Sequence, residues 1–308
     1  MALVSKPNKP ELSMQISMSL STLFVLVKSR TLVYAFALAS IGTFLISSGI
    51  QIPDFLVLGR LAVSVYFLAL ATYLYNDLTD YEIDKVNNRN NSRNSKTISY
   101  RQILYSTIGF FAIAISLAFS INLPTGVASL VCVGLAMAYS HPVTHLKNMF
   151  VVKTVITSAG GFMASFMGAL AVQNISYVGI SSSIILFFMY FINGPLGDIG
   201  DMSGDKKGGR RTIPIVLGID KAFLIIMSAI SSISVILIVD YLFFGLHVVG
   251  VLLGLAICAS LILRVKKLSK QYDDKKKISQ TRSAIRISVF TIQLSMFAGI
   301  LLNVFLPV

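Results

Sequence analysis

The stretch "YNDLTDYEIDKVNNRNNSR", Tyr75–Arg93, follows directly on a run of about twenty apolar residues. It gathers Asp77, Asp80 and Asp84 at the end of a segment long enough to cross a bilayer. A second stretch, "GDIGDMSGDKKGGRR", Gly197–Arg211, repeats the arrangement with Asp198, Asp201 and Asp205. Each triplet is spaced 0, 3 and 7. On a helix that spacing confines three carboxylates to about 60° of arc. Like charges on one face repel, and the cost rises at the edge of a bilayer.

Working outward, apolar segments of membrane length recur along the chain. We read nine, at roughly 31–50, 57–76, 102–121, 124–140, 151–172, 177–196, 222–239, 241–263 and 287–306. The chain of 308 residues is 55% hydrophobic and 13% charged, against about 25% charged in a soluble domain. The predicted fold is therefore an all-α polytopic membrane protein forming one domain over 1–308. The stretch 12–27 reads as an interfacial helix or an extension of the first span, with Lys28 and Arg30 reaching the head groups. No small-residue cleavage site marks a signal peptide.

Lys and Arg collect at the N-terminus and in the loops after spans two, four, six and eight. The other loops hold almost none, with Arg60 the exception. The positive-inside rule then places the N-terminus and both acidic clusters in the cytoplasm and the C-terminus outside. The net charge of +13 thus reads as topology and anionic-lipid contact rather than nucleic-acid binding. Cys132 and Cys258 fall inside apolar spans and read as small buried hydrophobes. His141 and His145 flank Pro142 and read as loop histidines; His247 receives no role.

A divalent cation explains why six acids recur in two like-spaced triplets. All-oxygen ligation favours Mg²⁺ or Ca²⁺, and Mg²⁺ characteristically shares its shell with substrate phosphates. A metal-bound diphosphate still needs cationic donors. Arg89, Arg93, Lys147, Lys153, Lys206, Lys207, Arg210 and Arg211 lie in the same predicted layer. Toward the membrane, the face of Asp77 continues through Tyr73, Leu70 and Tyr66, and that of Asp198 through Gly194, Phe191 and Phe187. Apolar, aromatic walls suit a hydrocarbon with a diphosphate head and would keep water from an allylic cation. Pro195 and the surrounding glycines predict a break at the end of span six, with Asn76 and Asn193 placed to orient ligands. A cation-coupled transporter is the alternative reading, but its ionisable groups should line a path through the midplane. Here nearly all acids lie at one face, with Asp54 and Asp240 isolated at the other.

These residues resemble the UbiA-type intramembrane prenyltransferases. Asn76-Asp77-x-x-Asp80-x-x-x-Asp84 matches that family's NDxxDxxxD motif, and Asp198, Asp201 and Asp205 match its DxxDxxxD motif. "GDKKGGRRTIPIVLG", with Thr212, Pro214 and Gly218, resembles the usual continuation. "AYSHPVTHLK", with Tyr139, Ser140 and Lys147, resembles the element after the fourth helix, and Arg30 the basic residue that opens the first. The segment "VNNRNNSRNSKTIS" departs from the family's proline-containing run ending in glycine, leaving Arg89 and Arg93 in the arginine roles. The resemblance implies nine helices around a central cavity under a cytoplasmic cap. It further implies Mg²⁺-dependent transfer of a prenyl chain from a polyprenyl diphosphate, geranylgeranyl diphosphate being the best guess, to a lipophilic acceptor. The six aspartates would hold metal and carry catalysis. Asn76, Arg89, Arg93, Tyr139, Lys147, Lys153, Lys206 and Arg211 would bind substrate. Gly204-Asp205 with "TIPIVLG" looks most like the glycerol-ether branch, whose acceptor is geranylgeranylglyceryl phosphate. An aromatic acceptor of quinone synthesis is the runner-up.

Overall fold

The computed structural model describes residues 33–86, 99–141, 146, 149–172, 175–207 and 209–305, the side chains of 82–86 and 304 excepted. Its elements are α1 (Val33–Ser48), α2 (Phe55–Val86), α3 (Tyr100–Ile121), α4 (Leu123–Ser140), α5 (Val152–Leu170), α6 (Tyr177–Lys207), the short α7 (Ile213–Leu217), α8 (Ile219–Phe244), α9 (Val248–Ser269) and α10 (Lys275–Phe305). Among the described residues there is no strand. Seven helices are long and apolar enough to cross a membrane: α2, α3, α4, α6, α8, α9 and α10. Two predicted spans fall short. α1 is described over only 16 residues. α5 has 19, but "TSAGGFMAS" dilutes its apolar character.

Local signals explain the helix ends. Ser99 and Gln102 form a capping box at the start of α3. Asn122 accepts from the Thr125 amide at 2.8 Å and donates to the Leu170 carbonyl at 2.8 Å, closing the α3–α4 turn onto the end of α5. Pro124 sits in the first turn of α4, where it has no hydrogen bond to lose. His247 turns out to be the cap of α9, its Nδ1 accepting from the Val249 amide at 3.2 Å.

Contacts order the helices into a closed circuit: α1, α2, α3, α4, α5, α6, α8, α9 and α10 each pack on the next, and α10 returns to α1. Long-range bonds alternate the two ends. Arg60 at the start of α2 donates to the Ser120 carbonyl at the end of α3 at 3.2 Å, which accounts for the one misplaced cation. Ser140 at the end of α4 donates to Asn76 on the acidic part of α2 at 3.0 Å.

α1 also packs against α5, α6 and α10, and small residues bring the backbones together. Thr43 Oγ1 lies 2.5 Å from Ser165 Oγ and 3.1 Å from Ser182 Oγ. Gln293 Nε2 donates to Thr43 Oγ1 at 2.9 Å and to the Ala39 carbonyl at 3.0 Å. This buried network ties four helices at a depth where an unpaired polar group would be costly. Gly168 meets α1 so closely that a Cβ would drive into the Ser40 carbonyl oxygen. Gly168→Ala is expected to cost about 1–3 kcal/mol through forced backbone displacement, read as a lower unfolding midpoint in detergent.

Candidate active site

α2 and α6 do not stop where their apolar stretches end. α2 continues as helix to Val86 and α6 to Lys207, so the acids ride on helical extensions. The predicted break at Pro195 does not occur: α6 runs through it unbroken. The neighbouring glycines serve close approach instead. A Cβ on Gly194 would lie 2.7 Å from Thr154 of α5, and one on Gly197 would lie 3.3 Å from the guanidinium carbon of Arg282. Asn193 turns back on its own helix, donating to the Met189 carbonyl at 3.0 Å.

The aspartates differ in environment. Asp77, Asp198 and Asp205 are buried, at 3%, 5% and 7% exposure; Asp80 is half-buried and Asp201 exposed. Asp198 and Asp205, two helical turns apart, share the inward line, while Asp201 is rotated toward the surface. Buried carboxylates need cationic partners. Lys153, in the first turn of α5, reaches Asp198 Oδ1 at 3.1 Å. Arg210 reaches Asp205 Oδ1 at 3.2 Å, and its own amide donates to the Asp205 carbonyl at 2.9 Å. Each pair engages a single carboxylate oxygen, so the second remains for a ligand. Val151, which launches α5 toward Lys153, has φ 65°, a strained value for a β-branched residue.

Tyr139, at the end of α4, feels groups from both acid-bearing helices. Asp80 and Tyr73 of α2, Asp198 of α6 and Arg210 all lie within electrostatic range of its hydroxyl. Tyr73 also lies within electrostatic range of Tyr190 on α6. Beneath the carboxylates, Tyr190 stacks on Phe36 at 5.1 Å, and Phe187 on Phe191 at 6.2 Å. Tyr66 packs on Tyr34 at 5.1 Å. Leu70, by contrast, is fully buried in helix packing and forms no part of an open wall.

The other sequence candidates sit as follows. Lys206 and Arg211 are exposed. Lys206 lines a separate hollow of about 430 Å³ with Met202, Asp220 and Tyr272. The side chain of Asp84, and Arg89, Arg93, His145 and Lys147, lie outside the described residues. Two residues at or near this layer were not named by sequence, Tyr190 and Arg282, and a third, Arg210, was named only as one of eight cations. Arg210 stood undistinguished among neighbouring cations, and the other two carry no local signal.

Among the described residues, no three acidic, histidine or cysteine side chains form a ready-made metal cage. The donor set is still all oxygen, split between two helices, with two carboxylates already half-neutralised. Such a layer fits a hard cation that completes its shell with substrate phosphate and water.

Comparison with known proteins places the chain as follows. The model of the UbiA prenyltransferase family matches residues 33–291. Digeranylgeranylglyceryl phosphate synthase of Pyrococcus furiosus is 30% identical over 251 residues, covering 81% of this chain and 87% of that protein. The protein of the same name from Methanosphaera stadtmanae is 28% identical, covering 70% and 79%. A solved structure of digeranylgeranylglyceryl phosphate synthase superposes with a TM-score of 0.72 at 20% identity, covering 92% of this chain and 99% of that one. A UbiA homologue from Archaeoglobus fulgidus, bound to DMAPP and Mg²⁺, superposes with a TM-score of 0.63 at 16% identity, covering 87% and 98%.

Proposed function

The chain belongs to the UbiA prenyltransferase family and is a multi-pass membrane enzyme that transfers prenyl groups, and on that premise we propose that it is Mg²⁺-dependent, moving a geranylgeranyl chain from geranylgeranyl diphosphate onto geranylgeranylglyceryl phosphate. The observation that carries this reading is the pair of buried aspartates on α6, Asp198 and Asp205, each held through one carboxylate oxygen by a cation, Lys153 and Arg210. The choice of acceptor is supported by the relatives, which are named for the digeranylgeranylglyceryl phosphate product. One domain over 1–308 carries the activity, with nine spans around a central cavity, a cytoplasmic cap, the N-terminus and acids inside and the C-terminus outside. The charge segregation of the loops supports that orientation.

In this reading Asp77, Asp80 and Asp84 on one helix and Asp198, Asp201 and Asp205 on the other hold the metal. When bound, Mg²⁺ neutralises the diphosphate oxygens and makes them a better leaving group. Lys153 and Arg210 are already positioned by their aspartates, so their remaining N–H groups meet developing charge at little reorganisation cost. Arg89, Arg93, Lys147, Lys206 and Arg211 supply further cationic donors around the headgroups, and Asn76 orients the first cluster through Ser140. The allylic C–O bond breaks and its electron pair leaves with the diphosphate. The acceptor hydroxyl oxygen closes on the vacated carbon and yields its proton to a phosphate oxygen. Tyr73, Tyr190, Phe187 and Phe191 face the cation with π-electrons and exclude water from it. Tyr139 binds substrate within electrostatic range of Asp80, Asp198 and Arg210.

The test is purified protein with labelled geranylgeranyl diphosphate and a panel of acceptors: geranylgeranylglyceryl phosphate, an aromatic acid and dihydroxynaphthoate. The glyceryl phosphate is expected to be prenylated fastest, and chelation by EDTA is expected to abolish turnover, with Mg²⁺ restoring it. Preference for an aromatic acceptor would overturn the assignment of acceptor. Full turnover in EDTA would overturn the metal.

A further inference from the structure

We propose that Arg282, on the last helix, binds a phosphate oxyanion of substrate beside the second acid cluster, an assignment that rests on the reading above. α10 crosses α6 at two glycines. Gly200 faces Ile278, with an added Cβ at 3.6 Å, and Gly197 faces Arg282, one turn back on α6 and one turn on along α10. An added Cβ on Gly197 would lie 3.3, 3.4 and 3.4 Å from Cζ, Nη1 and Nη2 of Arg282. Three nearly equal distances mean that the guanidinium lies flat on the glycine, its face against the backbone. Its N–H groups, which point in the plane, are therefore directed sideways along the surface of α6. One turn further along that face is Asp201, and Asp198 adjoins the glycine in sequence.

Arg282 is only partly exposed, and its Nε is buried without a hydrogen-bond partner. Asp198 and Asp201 act on it electrostatically, yet neither closes an ion pair with it among the described residues. Asp198 is already engaged by Lys153. A purely structural arginine in a desolvated place would take a carboxylate or a carbonyl. This one is packed flat on Gly197 with Arg286, Asp201 and Asp198 within electrostatic range and donors left over. A planar fork of N–H donors next to metal-binding carboxylates matches phosphate, which it can grip with two parallel bonds. The phosphate is either that of the donor's diphosphate or the monoester of the acceptor, and the two are separable by experiment.

The full-length protein in detergent is titrated calorimetrically with Mg²⁺-pyrophosphate and, separately, with geranylgeranylglyceryl phosphate. R282Q is expected to weaken one of the two by at least tenfold while the unfolding midpoint holds, and the ligand affected identifies the source. R282K, which keeps the charge but loses the flat fork, is expected to weaken the same ligand severalfold; if R282Q does not fold, R282K decides alone. G197A, which pushes the guanidinium off its seat, is expected to act in the same direction. Unchanged affinity for both ligands in the arginine variants overturns the proposal. A wild type that binds pyrophosphate through Arg282 but transfers no prenyl group overturns the proposed function and leaves this site standing. A wild type that binds neither ligand overturns both.

Discussion

Replacing Asp77 or Asp198 by asparagine is expected to lower the rate of diphosphate release from geranylgeranyl diphosphate by about 10²- to 10³-fold, the range seen when one preorganised electrostatic contact to a transition state is removed. Asparagine keeps the shape and burial of the side chain and discards only its charge. Asp77 is 3% exposed and Asp198 5%, so neither charge is screened by water, and its loss is felt at full strength. The folded state should tolerate the change, because a neutral amide is easier to bury than a carboxylate. Lys153 is left without its partner in Asp198→Asn, but its side chain is 37% exposed and can turn to solvent. The measurement is labelled diphosphate release at saturating Mg²⁺, with the unfolding midpoint recorded in parallel. Asp201→Asn provides the internal contrast. That side chain is exposed, and its effect should be the smallest of the three. Turnover within twofold of wild type for both Asp77→Asn and Asp198→Asn would remove the aspartates from the chemistry.

The acids were legible in the sequence because charge in an apolar chain is conspicuous and because 0, 3, 7 is a helical period. That the period continues as helix to Val86 and Lys207 follows from the same spacing. The reading failed at Pro195, where "NGPLG" has the composition of a helix breaker. Composition does not distinguish a glycine that bends a chain from one that admits a neighbour, and Gly194 and Gly197 are of the second kind. One predicted span, α5, was less apolar than its neighbours for a related reason. α5 is rich in Ser, Thr, Gly and Ala where it meets α1, and those residues lower hydropathy while allowing close packing. The Thr43–Ser165–Ser182–Gln293 network has no periodic signature, since each helix contributes one or two of its members. Arg210 and Arg211 are adjacent and chemically identical; only the fold makes the first a partner of Asp205 and the second a surface charge. Arg282 carries no sequence signal, because the glycine it lies on is 85 residues away.

Lys153→Gln is expected to reduce prenyl transfer by about a hundredfold, and the double variant Lys153→Gln/Asp198→Asn is expected to be hardly slower than Asp198→Asn alone. The lysine and the aspartate are 3.1 Å apart and act on the same phosphate, so each loses most of its value when the other is gone. An alternative role for Lys153, as a mere counter-charge that keeps Asp198 soluble in the protein interior, predicts a different pattern. The single lysine variant would then lose stability rather than rate, and the double variant would recover it, since removing one member of a buried pair is costly and removing both is not. Unfolding midpoints and single-turnover rates on the four proteins of the cycle separate the two. A lysine that serves the leaving group gives a large coupling in rate with little coupling in stability. A lysine that serves only the aspartate gives the reverse. The strained Val151 favours the first outcome: a backbone held at φ 65° two residues before Lys153 is a cost that packing alone has no reason to keep.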